Sequence, residues 1–411
     1  MDSSRELQKL IDSTGNTSVE YTFSKDHNIV INSLLRVNNN TTWDGNGCKF
    51  TLMENAPVEI FGEQVPLIAP KCSIAAKNLI FHDIIFEGNR DSQKEVEALY
   101  PKPWGHGYHN FFTLGDLHKV SCSNSLNCEF YNLSFEDNLG DGIRVEGGTN
   151  ISVHDITGKR GGHDIICYNA VLGGEVYNLK ADLAVNAGVR TRSAKNIKIH
   201  DCVLNGGTGM AYSPGMQIQS TATNWVSSGI EIYNNYIHDT WGPGIQVVGN
   251  VPNNETVSIH NNLFVSCGAM PAANKLPNVG AIVYDGFPVD IEYNTVAGCY
   301  GFGFVAADYD ISSTYPATAT IKRNIVVGTK KALYPGTGSG AAIANLLGSR
   351  YIFTCLENDI YGNISDFYDV AHSRCLSVDP LFAGSGDYHL QSSSPCRFNG
   401  YQLGRYNGVD D

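Results

Sequence analysis

The chain has 411 residues, only 17% of them charged, with a formal net charge of −13 and a pI near 5.3. That acidic field argues against nucleic acid or an anionic membrane surface as partner. No apolar run approaches the roughly 18 residues a membrane-spanning helix needs.

The eleven cysteines are odd in number, and none forms a CxxC pair. A zinc or redox motif is therefore disfavoured, and most should fill a core as small apolar side chains. Cys122/Cys128 and Cys375/Cys396 are the pairs to test for a disulfide.

From the N-terminus, Ser3-Ser4-Arg5-Glu6-Leu7-Gln8-Lys9-Leu10-Ile11 reads as a short amphipathic helix with a serine cap. We expect residues 1–20 to close one end of a repeat structure, since a terminal unit needs a polar outer face. No leader segment is recognisable at Met1. Extended segments follow at Asn28–Ile31 and Phe81–Phe86, with a turn at Asp44–Gly47. Residues 89–108 break the pattern as an insertion, the kind of segment that builds a wall beside a site. Its Tyr100, Trp104 and Tyr108 suit sugar stacking or simple packing of the loop. His106, His109 and His118 are irregularly spaced and read as loop residues rather than a metal set.

From Asn127 to Cys202 the chain repeats. Phe130-Tyr131-Asn132-Leu133, Val153-His154-Asp155-Ile156, Val176-Tyr177-Asn178-Leu179 and Ile199-His200-Asp201-Cys202 begin 23 residues apart. Short β-branched runs punctuated by Gly, Asn and Asp leave no room for a helix within that period. The expectation is an all-β, single-domain parallel β-helix over residues 1–411, each coil stacking about 4.8 Å from the next. From Ile232 the unit becomes apolar-x-x-Asn, placing Asn235, Asn262, Asn294 and Asn324 in a ladder at one turn, where Asn tolerates the left-handed conformation. Residues 375–411, with Asp379-Pro380-Leu381-Phe382 and Ser394-Pro395-Cys396, read as the other end cap.

Strand alternation sends Ile143 and Val145 inward and Arg144 and Glu146 outward. Following that face gives Arg190 and Arg192, Gln217 and Gln219, Gln246, and Tyr284. A solvated sheet face would mix Lys, Glu, Ser and Thr; a stripe of Arg and Gln suits a chain of hydroxyls and carboxylates instead. One register question stays open. A strict 23-residue step puts Cys167 in the groove, whereas aligning His163 with Asp141 turns Cys167 inward, because a one-residue slip inverts every side chain.

Gly140-Asp141-Gly142-Ile143-Arg144-Val145, Gly162-His163-Asp164 and Gly188-Val189-Arg190-Thr191-Arg192 resemble the active-site coils of the polygalacturonases, inverting β-helix hydrolases of uronic-acid polymers. That resemblance implies catalytic roles for Asp141 and His163, a substrate-carboxylate clamp at Arg190 and Arg192, and a further Asp at Asp116. It departs from the family where Gly140 stands for the first of two aspartates and Asp164 for a glycine. The Asn-rich coils and the tail resemble the archaeal disaggregatases, right-handed β-helix proteins of the pectin-lyase-like superfamily. Those are secreted enzymes that degrade a chondroitin-like matrix between cells, and the tail is also similar to terminators of cell-surface β-helix proteins. Both resemblances imply an extracellular or cell-surface enzyme acting on an acidic polysaccharide.

A hydrolase needs two carboxyl groups about the glycosidic oxygen, roughly 5 Å or 6.5–9.5 Å apart. On this reading Asp141 is the general acid, its pKa raised by a neighbouring carboxylate, and Asp164 or Asp116 activates water. His163 tunes the pair, while Glu146, the glutamines, Tyr284 and Trp104 hold substrate. No cofactor is required. The alternative is a polysaccharide lyase in which Arg144, Arg190, Arg192 and Lys159 serve, with Ca²⁺ as a possible ion. A third class is a glycan-binding surface protein that cleaves nothing. An aspartate before a strand is also a common turn residue.

Overall fold

A computed structural model describes residues 4–15, 17–54, 66–70, 76–89, 92, 110–114, 125–137, 140–184, 186–206, 214–220, 226–269, 278–308, 313–333, 340–398 and 401–404. They form two compact units, residues 1–197 and 198–411. In each, the long sheet strands pair in parallel with the coil before and the coil after, the arrangement of a parallel β-helix.

In the first unit the helix Ser4–Thr14 buries Ser4, Leu7 and Ile11, one face of a 3.6-residue period. Gln8 fixes it edge-on: its Oε1 accepts the Arg36 amide at 2.7 Å and its Nε2 donates to the Arg36 carbonyl at 3.1 Å. Burying Leu7 and Ile11 contributes about 1.5–3 kcal/mol each. The coils follow as Thr41–Leu52, Ile80–Glu87, Ser125–Glu136, Ile143–Lys159 and Ile166–Ala184.

Register is readable from rings. Inside, Trp43, Phe81 and Phe130 stack with centroids 5.4 and 5.6 Å apart. Outside, His82, Tyr131, His154 and Tyr177 stack at 4.7, 5.3 and 4.6 Å, nearly parallel. These spacings match the rung separation, so each ring covers the next. Asp83 and Asp155 turn the chain at positive φ and bond the preceding imidazole Nδ1 at 2.6 and 2.7 Å. Only short polar side chains make that turn cheaply.

In the second unit the asparagine ladder is present and fully buried at Asn235, Asn262, Asn294 and Asn324, and it extends to Asn358. From Asn262 on, each Oδ1 accepts the backbone amide of the ladder asparagine one coil back, at 2.8–3.0 Å, and that of Asn235 accepts the Cys202 amide at 3.0 Å. The conformational reason given for it needs correcting. The left-handed residues are the preceding ones, Asn234, Asn261, Tyr293 and Arg323, which leaves the ladder side chains free to point inward and bond the next turn. Two antiparallel hairpins, Phe382–Gly384 with Asp387–Leu390 and Arg397–Phe398 with Tyr401–Gln402, bring Leu390, Cys396 and Leu403 onto Ile325.

Cys375 and Cys396 are free thiols, the latter donating to Asp359 Oδ2 at 3.3 Å, so that expected bridge is not made. Cys128 is free and buried, and Cys122 lies outside the described residues.

Candidate active site

The site lies in the first unit, at the turns that feed three stacked strands. The strict 23-residue register holds: Ile143, Ile166 and Val189 share the inward column, and Arg144, Cys167 and Arg190 the outward one. Glu146, Asn169 and Arg192 form the next outward column. The register question therefore resolves with Cys167 in the groove. His163 still meets Asp141, because it sits one residue before the position directly above it.

Each aspartate first satisfies backbone. The amide of Asp164 donates to Asp141 Oδ1 at 3.0 Å, and the amide of Ala187 donates to Asp164 Oδ1 at 3.2 Å. This is the turn role, repeated one coil on. Ionic partners surround it. His163 Nδ1 lies 2.6 Å from Asp141 Oδ1 and 3.2 Å from Asp164 Oδ2, and Arg144 Nη1 is 3.0 Å from Asp141 Oδ2. Arg190 Nε is 2.9 Å from Asp164 Oδ2, an ion pair whose N–H does not point along the line. Arg190 Nη2 donates to Cys167 Sγ at 3.4 Å, Asn186 Nδ2 to Asp164 Oδ1 at 2.6 Å, and Asn169 Nδ2 to Glu146 Oε1 at 2.8 Å. Arg144 Nε completes the set on Glu146. Gly142 permits the packing: a Cβ there would stand 2.7 Å from the Ile165 carbonyl oxygen.

Burial sets the electrostatics. Asp141 and Asp164 are 0% exposed, and Arg144 and Arg190 8% and 6%. Burial alone would raise the Asp141 pKa, but His163, Arg144 and Arg190 outweigh it and hold the carboxylate well below its usual range. The raised pKa expected for a general acid is thus corrected, because the neighbours that outweigh burial are His163 and two arginines rather than a second carboxylate. Burial likewise opposes the charge on Arg144 and Arg190, and the surrounding anions more than restore it. Arg192 is lowered, by burial and by Arg190. Burial pushes the Cys167 thiol up to about 11.

Of the residues expected from sequence, Asp141, Asp164, His163, Arg144, Glu146, Arg190 and Arg192 come together. Asp116, Trp104 and most of the insertion lie outside the described residues. Gln217, Gln219 and Gln246 belong to the second unit, where they are buried and Gln217 Nε2 donates to Gln246 Oε1 at 2.6 Å. Tyr284 is a correction. Val283, not Tyr284, stands opposite Gln246, so Tyr284 is an inward core residue, 0% exposed. Beyond Gln246 that outward column turns apolar through Val283, Val305 and Ala344, packed under Trp241. Lys159 is exposed and pairs across the sheet with Glu136 and Asp182, away from the arginines. Asn169 and Asn186 were missed, although adding 23 to Glu146 and His163 lands on each of them.

Two groups of described residues bring three donor atoms within 4.8 Å: Asp141/His163/Asp164 and Asp44/His82/Asp83. The first does not fit a divalent cation, because Arg144 and Arg190 already neutralise its carboxylates.

Residues 117–264 match the family described as "Right handed beta helix region", and residues 227–405 match "Disaggregatase related". No curated protein matches the sequence. Among solved structures, the A-module of the Azotobacter vinelandii mannuronan C-5 epimerase AlgE6 is similar at TM-score 0.65 and 13% identity, over 92% of this chain and 96% of that one. The AlgE4 A-module of the same organism follows at 0.55 and 11%, with the same coverage. A tailspike protein of E. coli bacteriophage HK620, in complex with a hexasaccharide, gives 0.50 and 16% over 92% of this chain and 60% of that one. At such identities the likeness is one of fold. With the stacked parallel coils, these matches make the chain a right-handed parallel β-helix protein, with residues 227–405 similar to the family described as "Disaggregatase related".

Proposed function

We propose that this protein is an enzyme of uronate-containing polysaccharides that works by removing the hydrogen on C5, next to the sugar carboxylate, with His163 as the base. The observation that carries this reading is the 2.6 Å contact between His163 Nδ1 and a fully buried, ionised Asp141. A carboxylate on Nδ1 fixes the proton there and leaves Nε2 as the basic nitrogen, an orienting arrangement familiar from acid–base sites. The C5 hydrogen becomes acidic only when the neighbouring carboxylate is neutralised. Arg144 and Arg190 are already paired with Asp141, Asp164 and Glu146, so the half-buried Arg192, in the outward column beside Asn169, supplies that charge and stabilises the enolate-like charge that develops as the C–H bond breaks. The electron pair then expels the O4 substituent, which takes up a proton from water and leaves a C4–C5 double bond, or C5 takes a proton from water on the other face.

This reading supports elimination or epimerisation over the hydrolysis expected from the Asp pair. Both aspartates are 0% exposed, and their oxygens lie within 4.8 Å around one imidazole nitrogen, which leaves no space for a glycosidic bond between them. Asp141 also holds no proton to donate at neutral pH. The structural neighbours named as C-5 epimerases fit this chemistry, and the disaggregatase-related match fits a glycan that holds cells together. Such a substrate implies work outside the cell or at its surface; no helix among the described residues is long and apolar enough to cross a membrane.

The test is digestion of uronate-containing glycans, followed for ultraviolet absorbance of a C4–C5 double bond, for new reducing ends and for inversion at C5. Absorbance or inversion that disappears in His163→Ala is expected. New reducing ends with neither would return the assignment to a hydrolase.

A further inference from the structure

We propose that the second unit carries a separate saccharide site, which takes a neutral pyranose. A cleft of about 640 Å³ opens there, within the size range of small-molecule sites, lined by Asn345, Phe353, Phe367, Asp369, Val370 and His372 among others. One wall is flat and apolar. Phe367 follows Ile343 in the inward column of the coils, and the His372 ring lies on it at 3.6 Å, tilted by only 6°. Val370 and Phe353 extend that wall.

The other wall offers polar atoms held in place. Asn345 is 6% exposed; its Oδ1 accepts the Leu347 amide at 3.1 Å, and its Nδ2 donates to the Gly348 carbonyl at 3.0 Å. The same Nδ2 also donates to Asp369 Oδ2 at 3.5 Å, which ties the carboxylate to the edge of the cleft. Asp369 is exposed and can accept two hydroxyls at once. His372 Nδ1 donates to the Val370 carbonyl at 3.1 Å, so Nε2 remains an acceptor.

A ligand that is apolar on one face and rimmed by hydroxyls fits this division, and a pyranose ring has that form. The sign of the charge narrows it. Asp369 is the one acidic side chain of the lining, with no Lys or Arg beside it there, so a uronate would be repelled where a neutral hexose or N-acetylhexosamine would not. The Arg-rich site of the first unit has the opposite preference. The inference does not depend on the role of His163, because binding here is read without turnover.

The experiment is saturation-transfer NMR on the full chain with galactose, glucose, N-acetylgalactosamine and glucuronate as probes, repeated on Phe367→Ala, His372→Ala, Asp369→Ala and, as a control, His163→Ala. Transfer to the ring hydrogens of at least one neutral sugar is expected. It should be lost in Phe367→Ala and weakened about tenfold in affinity in Asp369→Ala, the effect of losing a charged hydrogen-bond acceptor. The control should bind unchanged. Asp369 and His372 are exposed, so their variants report even where Phe367→Ala misfolds. No transfer to any neutral sugar, equal binding by Asp369→Ala and His372→Ala, or glucuronate transfer that falls in Phe367→Ala and His372→Ala as that of the neutral sugars does would overturn the proposal. So would a concentration-dependent dimer dispersed by His372→Ala, which would mean that the cleft seats a second copy.

Discussion

At the scale of single residues, Asp141 is asked to do two things: bond the turn of the next coil and hold His163. Asp141→Asn keeps the first in part and loses the charge that fixes the imidazole. We predict a fall in kcat of about 10²–10⁴-fold, the range for disturbing an acid–base group, with a smaller change in KM. The stability effect has a definite sign. Asp141 titrates in the fold well below its ordinary 3.8, so its contribution is present above that value and lost as pH falls through the folded pKa. Denaturant titrations should therefore show Asp141→Asn destabilised at pH 7, with the gap to the native protein closing on acidification. Asp285 runs the other way. Burial raises its pKa to about 6, with the Ser313 amide and Arg350 lowering it and Asp308 raising it. Its stability is full below 3.8 and lost as pH rises through about 6. Asp285→Asn should melt higher than the native chain at pH 7.5 and gain less at pH 5, as checked by thermal unfolding at both values.

At the scale of elements, the ladder asparagines are the most consequential polar side chains of the second unit. Asn294 Nδ2 donates to the Ile259 and Glu292 carbonyls at 2.9 and 3.0 Å, and its Oδ1 accepts the Asn262 amide at 3.0 Å, all in a buried turn. Asn294→Ala strands those groups without water. A loss of about 2–4 kcal/mol is expected in urea unfolding, whereas the same change at the neighbouring αL residue Asn261 should cost less. Gly142→Ala tests the first unit. Its Cβ would meet the Ile165 carbonyl oxygen at 2.7 Å and the Phe135 ring at 3.1 Å, so lowered stability and lowered activity should appear together. These elements were legible in the sequence because a constant period converts spacing into stacking. The 23-residue step placed Arg144, Cys167 and Arg190 in one column without any coordinates. It failed at Tyr284, where coils lengthen and the count from Gln246 no longer fixes inward from outward. It also missed Asn358, whose coil, Cys355-Leu356-Glu357-Asn358, opens on Cys where the other ladder coils open on Ile.

At the scale of the molecule, stacking explains why an acidic chain gathers arginines at all. Charges brought to adjacent rungs would repel unless anions stand between them, and Asp141, Asp164 and Glu146 occupy those places. The residues of the site were legible, since the repeat aligns them. Their protonation was not, because spacing alone does not reveal that both carboxylates are covered and bound to cations. That difference is why we propose an imidazole base in place of a carboxylic acid. The most direct test follows the hydrogen it removes. With a uronate polymer labelled with deuterium at C5, the native protein should release the label to water and His163→Ala should not; cleavage of the polymer with the C5 label fully retained would contradict the account.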